Sequence, residues 1–263
     1  LNALRREVAE KFESCDRQLS PITYTPPVRK KIGAEPLTTA QFFSEETYLD
    51  ALSVDGKPLE AIDIPFIPLF SSCESLRLAR GVYLPPVIMD SEIEEVCSAL
   101  ENAKNNGVMY ALVSNIGQIE LAKTYGLTPV GDFRVNITNV ESCIAYEKMG
   151  ASHLILSPEL TLPKARDIGG ALITYGRIPL MLTERCFIKD SFGCDKCGKA
   201  ALTDRTGAKF PMLREFEHRN LILNSAVTYM GDKARDLDTA GIVHRHAIFS
   251  VESEGEALAA LEA

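Results

Sequence analysis

The chain has 263 residues, 46% of them hydrophobic and 24% charged, a balance that excludes intrinsic disorder and suits one large domain or one domain plus an appendage. A net charge of -8 argues against nucleic acid as a partner of the whole surface, and no apolar run approaches the roughly eighteen residues that span a bilayer. With no basic-then-apolar leader in view either, the sequence reads as that of a soluble, cytoplasmic protein that meets no membrane.

In chain order, LNALRREVAEKFESC sets Leu1, Leu4, Val8 and Phe12 near helical spacing with charges between them, which predicts an amphipathic helix within residues 1–20. It opens in mid-helix on Leu rather than Met, so the sequence reads as an excerpt whose remainder it would contact. Residues 21–38, with Pro26 beside Pro27 and three consecutive cations, form a linker. The domain is expected over 39–253, and 254–263 as a short helix or tail.

Within that domain short apolar runs alternate with charged periodic segments. AIDIPFIPLF and GVYLPPVIM are strand-like, and DSEIEEVCSALENAKNNG is a helix with Ile93, Val96, Cys97 and Leu100 on one face. The strand VMYALVSN, the helix IGQIELAKTYG closed by Gly126, and the strand TPVGDFRVN follow. Then come a helix capped by Thr138 or Asn139, the strand ASHLILSPEL, the short helix TLPKARDIGG and the strand RIPLMLTE. NLILNS, the helix TYMGDKARDLDTAG and the strand IVHRHAIFSV complete the domain. This alternation predicts a parallel sheet of right-handed βαβ units. Seven or eight strands in roughly 210 residues favour an α/β fold of the closed, TIM-like (β/α) barrel type, with functional groups at the strand ends. A doubly wound open sheet is the other candidate, but no G-x-G-x-x-G recommends it.

The rhythm breaks after Cys197, where two strand-like runs flank Asp204-Arg205-Thr206-Gly207, a hairpin signal, so an insertion is expected after RIPLMLTE. The seven cysteines are an odd number, and Cys15, Cys73, Cys97 and Cys143 lie scattered as small hydrophobes would, which is not a secreted disulfide framework. Cys186, Cys194 and Cys197 instead crowd into twelve residues. A two-residue gap lets two thiolates reach one metal from a tight turn, with Gly193 and Gly198 as permissive backbone and Cys186 arriving from the strand end. Zinc and iron-sulfur clusters both usually take four protein ligands, and His218 across the hairpin, or else Cys73, is the fourth candidate. A redox CxxC pair is the competing reading.

His244 and His246 alternate on the last strand and so share a face, with Arg245 on the other. Glu184 and Arg185 flank the cysteines, and Glu184 at a strand terminus is a candidate acid, base or polar anchor. Residues 176–250 hold twelve Lys and Arg against nine Asp and Glu, a basic end on an acidic body that suits a polyanion or an acidic small molecule. No G-x-S-x-G, P-loop or local Cys-His protease signature is present.

IPLMLTERC, the Cys-x7-Cys-x2-Cys run, LTDRTGAKFPMLRE, HRNLILNS and AGIVHRHAIFSVE, preceded by DFRVNITNVES and HLILSPELTL, together resemble peptidase family U32, the collagenase-like proteases, over roughly residues 40–252. The resemblance implies a barrel-like fold and a cysteine-bound 4Fe-4S iron-sulfur cluster, with Cys186, Cys194 and Cys197 as cluster ligands. Zn2+ is the alternative, because three rather than four cysteines are close in sequence. It further implies oxygen-independent hydroxylation of RNA or of a small aromatic precursor, with prephenate as oxygen donor, or alternatively metal-dependent endopeptidase action on a peptide substrate. A non-catalytic RNA-binding module with a structural metal is the third reading. On this basis Glu184, Arg185 and Arg245 are the catalytic candidates, and Glu159, Asn224, His244 and His246 the substrate-binding ones.

Overall fold

The structure is a computed structural model that describes residues 2–15, 23–25, 27, 35–53, 61–197, 200–216 and 218–252. The expected linker lies mostly outside the described residues, and the expected C-terminal tail wholly outside them. Helix α1 (Asn2–Ser14) buries none of its residues. No helix among the described residues is long and apolar enough to cross a membrane.

From there strands and helices alternate: β1 (Thr38–Phe42), α2 (Glu45–Ser53), β2 (Ile64–Pro68), α3 (Cys73–Leu78), β3 (Gly81–Tyr83), α4 (Ile93–Asn105), β4 (Tyr110–Val113) and α5 (Ile116–Thr124). They continue with β5 (Thr128–Gly131), α6 (Val140–Met149), β6 (His153–Leu154), α7 (Leu162–Ile168) and β7 (Leu172–Gly176). The helix starts follow local chemistry. Asn115 accepts the Gln118 N–H and Asn139 the Ser142 N–H, each satisfying a donor that the first turn leaves open.

Strands β1 to β6 pair in sequence order, all parallel, and β1 pairs on its other side with β13 (Arg245–Phe249), which in turn pairs with β7. The ring closes at β6 and β7, where Ile155 bridges Ala171 in parallel and the Leu156 N–H reaches the Ala171 carbonyl at 2.8 Å. The result is an eight-stranded parallel (β/α) barrel, as the alternation predicts. Its two faces follow the period-two pleat. Ala40, Phe42, Val82, Ala111, Val113, Ala247 and Phe249 face outward and join Leu76, Val96, Leu100 and Ile119 of the helices in one core. Ile64, Phe66, Leu112, Val130, Ile155, Ile173 and Ile248 fill the interior. Thr39, Gln41 and His246 alternate with outward residues on β1 and β13 and so point inward among them.

The insertion differs from the expectation at its root. RIPLMLTE is not a barrel strand: Pro179–Thr183 forms β8, an edge of a separate four-stranded antiparallel sheet, and the seventh barrel strand is LITYG before it. The physical sign is burial, because Leu180 and Met181 are exposed whereas barrel strands are covered on both faces. That sheet continues with β11 (Arg219–Leu223), β10 (Lys209–Glu215) and β9 (Ala200–Thr203), the helix α8 (Phe187–Phe192) lying between β8 and β9. NLILNS therefore belongs to the insertion and not to the barrel. The predicted hairpin joins β9 to β10, with the Asp204 carboxylate accepting the Thr206 and Ala208 N–H groups. The chain rejoins the barrel through β12 (Thr228–Tyr229), antiparallel to β7, and α9 (Ala234–Ala240).

Gly176 is where barrel becomes insertion. Its φ is +116°, and a Cβ there would overlap the Ile248 carbonyl oxygen. Gly176→Ala is therefore expected to lower the urea unfolding midpoint by the equivalent of about 3 kcal/mol, from strain plus overpacking in a barrel seam. An unchanged midpoint would show that β7 and β13 can separate freely at this level.

Candidate active site

The C-terminal ends of the barrel strands are polar where the layers below them are apolar. Asp132 follows β5 and is fully buried. Its carboxylate accepts the Phe133 N–H at 2.8 Å and the Ser114 hydroxyl at 3.2 Å, and it pairs with Arg134 at 2.5 Å. Arg134 lies over the Phe133 ring, 4.7 Å from its centroid, so the guanidinium is held by charge on one side and by a π-face on the other. Its Nη2 is buried with no hydrogen-bond partner among the described residues. A buried donor left open costs roughly 1–3 kcal/mol, which makes it a marker of function as much as of structure.

The insertion supplies the facing group. Glu215 ends β10 and is buried over the mouth, and burial raises its carboxyl pKa above the ordinary value although the Phe216 N–H, Arg134 and Arg219 pull it down. Tyr83, at the end of β3, donates its hydroxyl to the Phe43 carbonyl at 3.3 Å. Burial, with the Glu215 charge, pushes that phenol well above its usual pKa. Deeper in, His246 is fully buried with its pKa lowered to about 4, first by burial and then by Arg134, while Asp132 opposes. The imidazole is therefore neutral at physiological pH.

Arg219, the first residue of β11 just past the turn that follows Glu215, fixes the insertion on the barrel. It donates to Glu92 at 2.6 Å, to Glu184 at 2.8 Å and to the Val87 carbonyl at 3.0 Å, with its side chain only 3% exposed. Burial lowers its pKa, but the bonds to Glu184 and Glu92 outweigh that and hold it above its usual value. Phe216 stacks on Phe70 with ring centroids 4.6 Å apart, so the same turn is tied to the loops after both β2 and β3.

The residues named from sequence fare differently. Glu184 is present at this site, but 68% exposed and as a partner of Arg219, so it is an anchor and not a buried acid. Arg185 is exposed and pairs with Asp190. Arg245 faces outward to Asp238 of α9, away from the mouth, as the strand alternation dictates. Glu159 is exposed in the loop after β6. Asn224 sits at the base of the insertion, its backbone tied to Ile178 and Arg177. His246 reaches the interior, whereas His244 lies at the opposite end of the barrel beside His153, in a cavity of about 350 Å³ that Asp63 and Leu37 also line.

The residues implied to hold a cluster do not gather. Cys186 is buried as the cap of α8, its sulfur accepting the Lys189 N–H at 3.4 Å and an Asn220 amide hydrogen at 3.5 Å. Cys194, Cys197 and His218 are exposed, and Cys73 is on α3 against Asn102. Among the described residues no three His, Cys, Asp or Glu side chains are grouped to hold a metal ion. The set therefore does not fit a four-ligand cluster: the cap geometry of α8 turns Cys186 inward while the following turn leaves Cys194 and Cys197 facing solvent.

Asp132, Arg134, Glu215, Arg219, Tyr83, Thr39 and Gln41 were not singled out from sequence. The run GDFRVN does place an acid and a base in the last residues of the predicted strand TPVGDFRVN, at the end where barrels carry function. Glu215 left no comparable signal, because its place over the mouth depends on the fold of the insertion.

A family profile described as Peptidase family U32 matches residues 79–196, from just before β3 into the insertion. The "Uncharacterized protease MJ0090" of Methanocaldococcus jannaschii is 28% identical over 122 residues, which cover 41% of this chain and 30% of that protein. Among solved structures, the U32 peptidase Mk0906 aligns at 15% identity and TM-score 0.45, over 88% of this chain and 99% of that one. The tryptophan synthase A-subunit of Pyrococcus furiosus aligns at 12% identity and TM-score 0.44, over 86% and 96%. The stretch matched by the profile takes in β3, Asp132 and Arg134 of the mouth, so over those residues the chain is similar to peptidase family U32.

Proposed function

We propose that the barrel mouth is a hydrolytic active site for a peptide-type bond, with Glu215 as the proton-transfer group and Arg134 as the holder of negative charge. One observation carries this: a buried carboxyl of raised pKa faces a guanidinium with an open donor, at the end of the barrel where βα loops build active sites. In the reaction, ionised Glu215 takes a proton from water as the water oxygen bonds to the carbonyl carbon. The electron pair of the C=O bond moves onto oxygen, where Arg134 stabilises it. As the C–N bond breaks, Glu215 returns the proton to the leaving nitrogen, giving a carboxylic acid and an amine.

The family supports peptidase activity at the level of its name. Hydroxylation would begin from sulfur ligands that the described residues do not bring together.

The test is incubation of the whole chain with a mixed peptide library in 18O water, read by mass spectrometry. New termini carrying one 18O are expected, with kcat/KM falling as pH drops through the raised Glu215 pKa, because the base form is consumed. Absence of any cleavage, or cleavage that Arg134→Ala leaves untouched, would remove this reading.

A further inference from the structure

We propose that His246, with Gln41 beside it, forms an acceptor floor in the barrel mouth that reads an N–H or O–H donor of the substrate, His246 being fixed by Thr39 with its proton on Nδ1. This rests on the mouth being the active site and names what that site recognises.

Thr39 and His246 are paired residues on adjacent strands, and both point inward. The His246 Nδ1 lies 2.7 Å from the Thr39 hydroxyl oxygen, and that hydroxyl has its own acceptor in the Arg245 carbonyl at 3.4 Å. With its proton directed there, the Thr39 oxygen is left to accept from Nδ1–H. The other ring nitrogen, Nε2, is then a lone pair, buried and without a partner among the described residues. The surroundings favour that arrangement twice over. An orphaned N–H in a core is rarer than an under-satisfied acceptor, and the positive charge of Arg134 opposes a proton on the ring.

Gln41 is two residues along β1 from Thr39 on the same inward face, and its Oε1 is a second buried acceptor with no partner among the described residues. Two buried acceptors on the inward face, one of them close enough to Arg134 to feel its charge, complement a group that carries hydrogens next to an oxygen, which is the description of a secondary or primary amide. They do not complement an ester or a tertiary amide, which would leave both acceptors desolvated and unpaired. Such mismatches discriminate strongly, because the cost falls on the buried protein groups.

The experiment needs no turnover, so it stands apart from the hydrolysis assay. Long-range 1H–15N spectra of the whole chain with 15N-labelled histidine assign the resonances of His246 by their loss in His246→Asn. A Nδ1–H tautomer is expected, with no titration between pH 8 and 5. Acetamide should shift the Nε2 resonance, whereas N,N-dimethylacetamide, which has no N–H, should not. Thr39→Val should mix the tautomers and Thr39→Ser should restore the single one, at unchanged fold. A proton on Nε2, titration near the ordinary histidine value, or equal response to the two amides would overturn the proposal. Peptide hydrolysis failing while the acetamide response holds would sink only the reaction assigned above.

Discussion

Arg219→Ala is expected to release the insertion from the barrel mouth and to cost about 3–5 kcal/mol of stability, the range for removing one partner of a buried ion pair. The size follows from how the side chain is used. Arg219 sends donors to a carboxylate and a backbone carbonyl on the β3 loop and to a carboxylate at the end of β8, so one guanidinium joins β11 to both segments. Truncation leaves Glu92, nearly buried, with no counter-charge. Arg219→Lys keeps the charge but cannot fork, and should recover only part of the loss. Glu184→Gln, by contrast, touches a mostly exposed carboxylate and should cost under about 1 kcal/mol. Urea unfolding measures the cost, and limited proteolysis reads the release as new cleavage within residues 177–227. An Arg219→Ala protein with wild-type stability and protection would mean that the Phe70–Phe216 stack and the sheet itself hold the insertion in place.

Much of the barrel was legible because its signals are local. Helix caps such as Asn139, the glycine at 126 and the α4 face that buries Val96 and Leu100 are set within a few residues and came out as read, although Ile93 on that face is exposed. The seventh strand was not legible. LITYG is short and carries two polar residues, while RIPLMLTE next to it is longer and more apolar, and hydropathy alone chooses the wrong one. Only the pairing of β7 with β13, a contact across more than seventy residues of chain, decides between them. The direction of the cysteine side chains was not legible for a related reason. Cysteines at short spacing draw attention, but spacing does not say which way a side chain turns, and the cap of α8 turns Cys186 inward to Asn220. The groups that do converge come from β1, β3, β5, β10 and β13, and no window of sequence holds more than two of them. His246 was named for sharing a face with His244; the shared face is real, but one histidine is buried beneath the barrel mouth and the other opens onto the cavity at the far end.

Glu215→Gln is expected to raise stability at pH 8 while lowering kcat for peptide hydrolysis by about 10²–10⁴, the usual contribution of a positioned acid-base group. The stability sign comes from linkage. The carboxyl pKa is raised above 4.5 in the folded protein, so the native state holds this proton more tightly than the unfolded chain does. Stability is therefore lost as pH rises from the ordinary carboxyl value through the raised one, and the loss stays constant above it. Gln keeps the shape and does not titrate, so the variant escapes the loss at pH 8 and should match the wild type at pH 4 and below. Thermal melts at the two pH values give the comparison as a difference of differences, which removes contributions common to both proteins. If Gln instead lowers stability equally at both, the attraction to Arg134 and Arg219 outweighs burial and the carboxylate is a structural ion. The stabilised and inactive variant would mean the opposite: that the fold tolerates a charge it would be more stable without, at the one place over the barrel where a proton has to be given and taken.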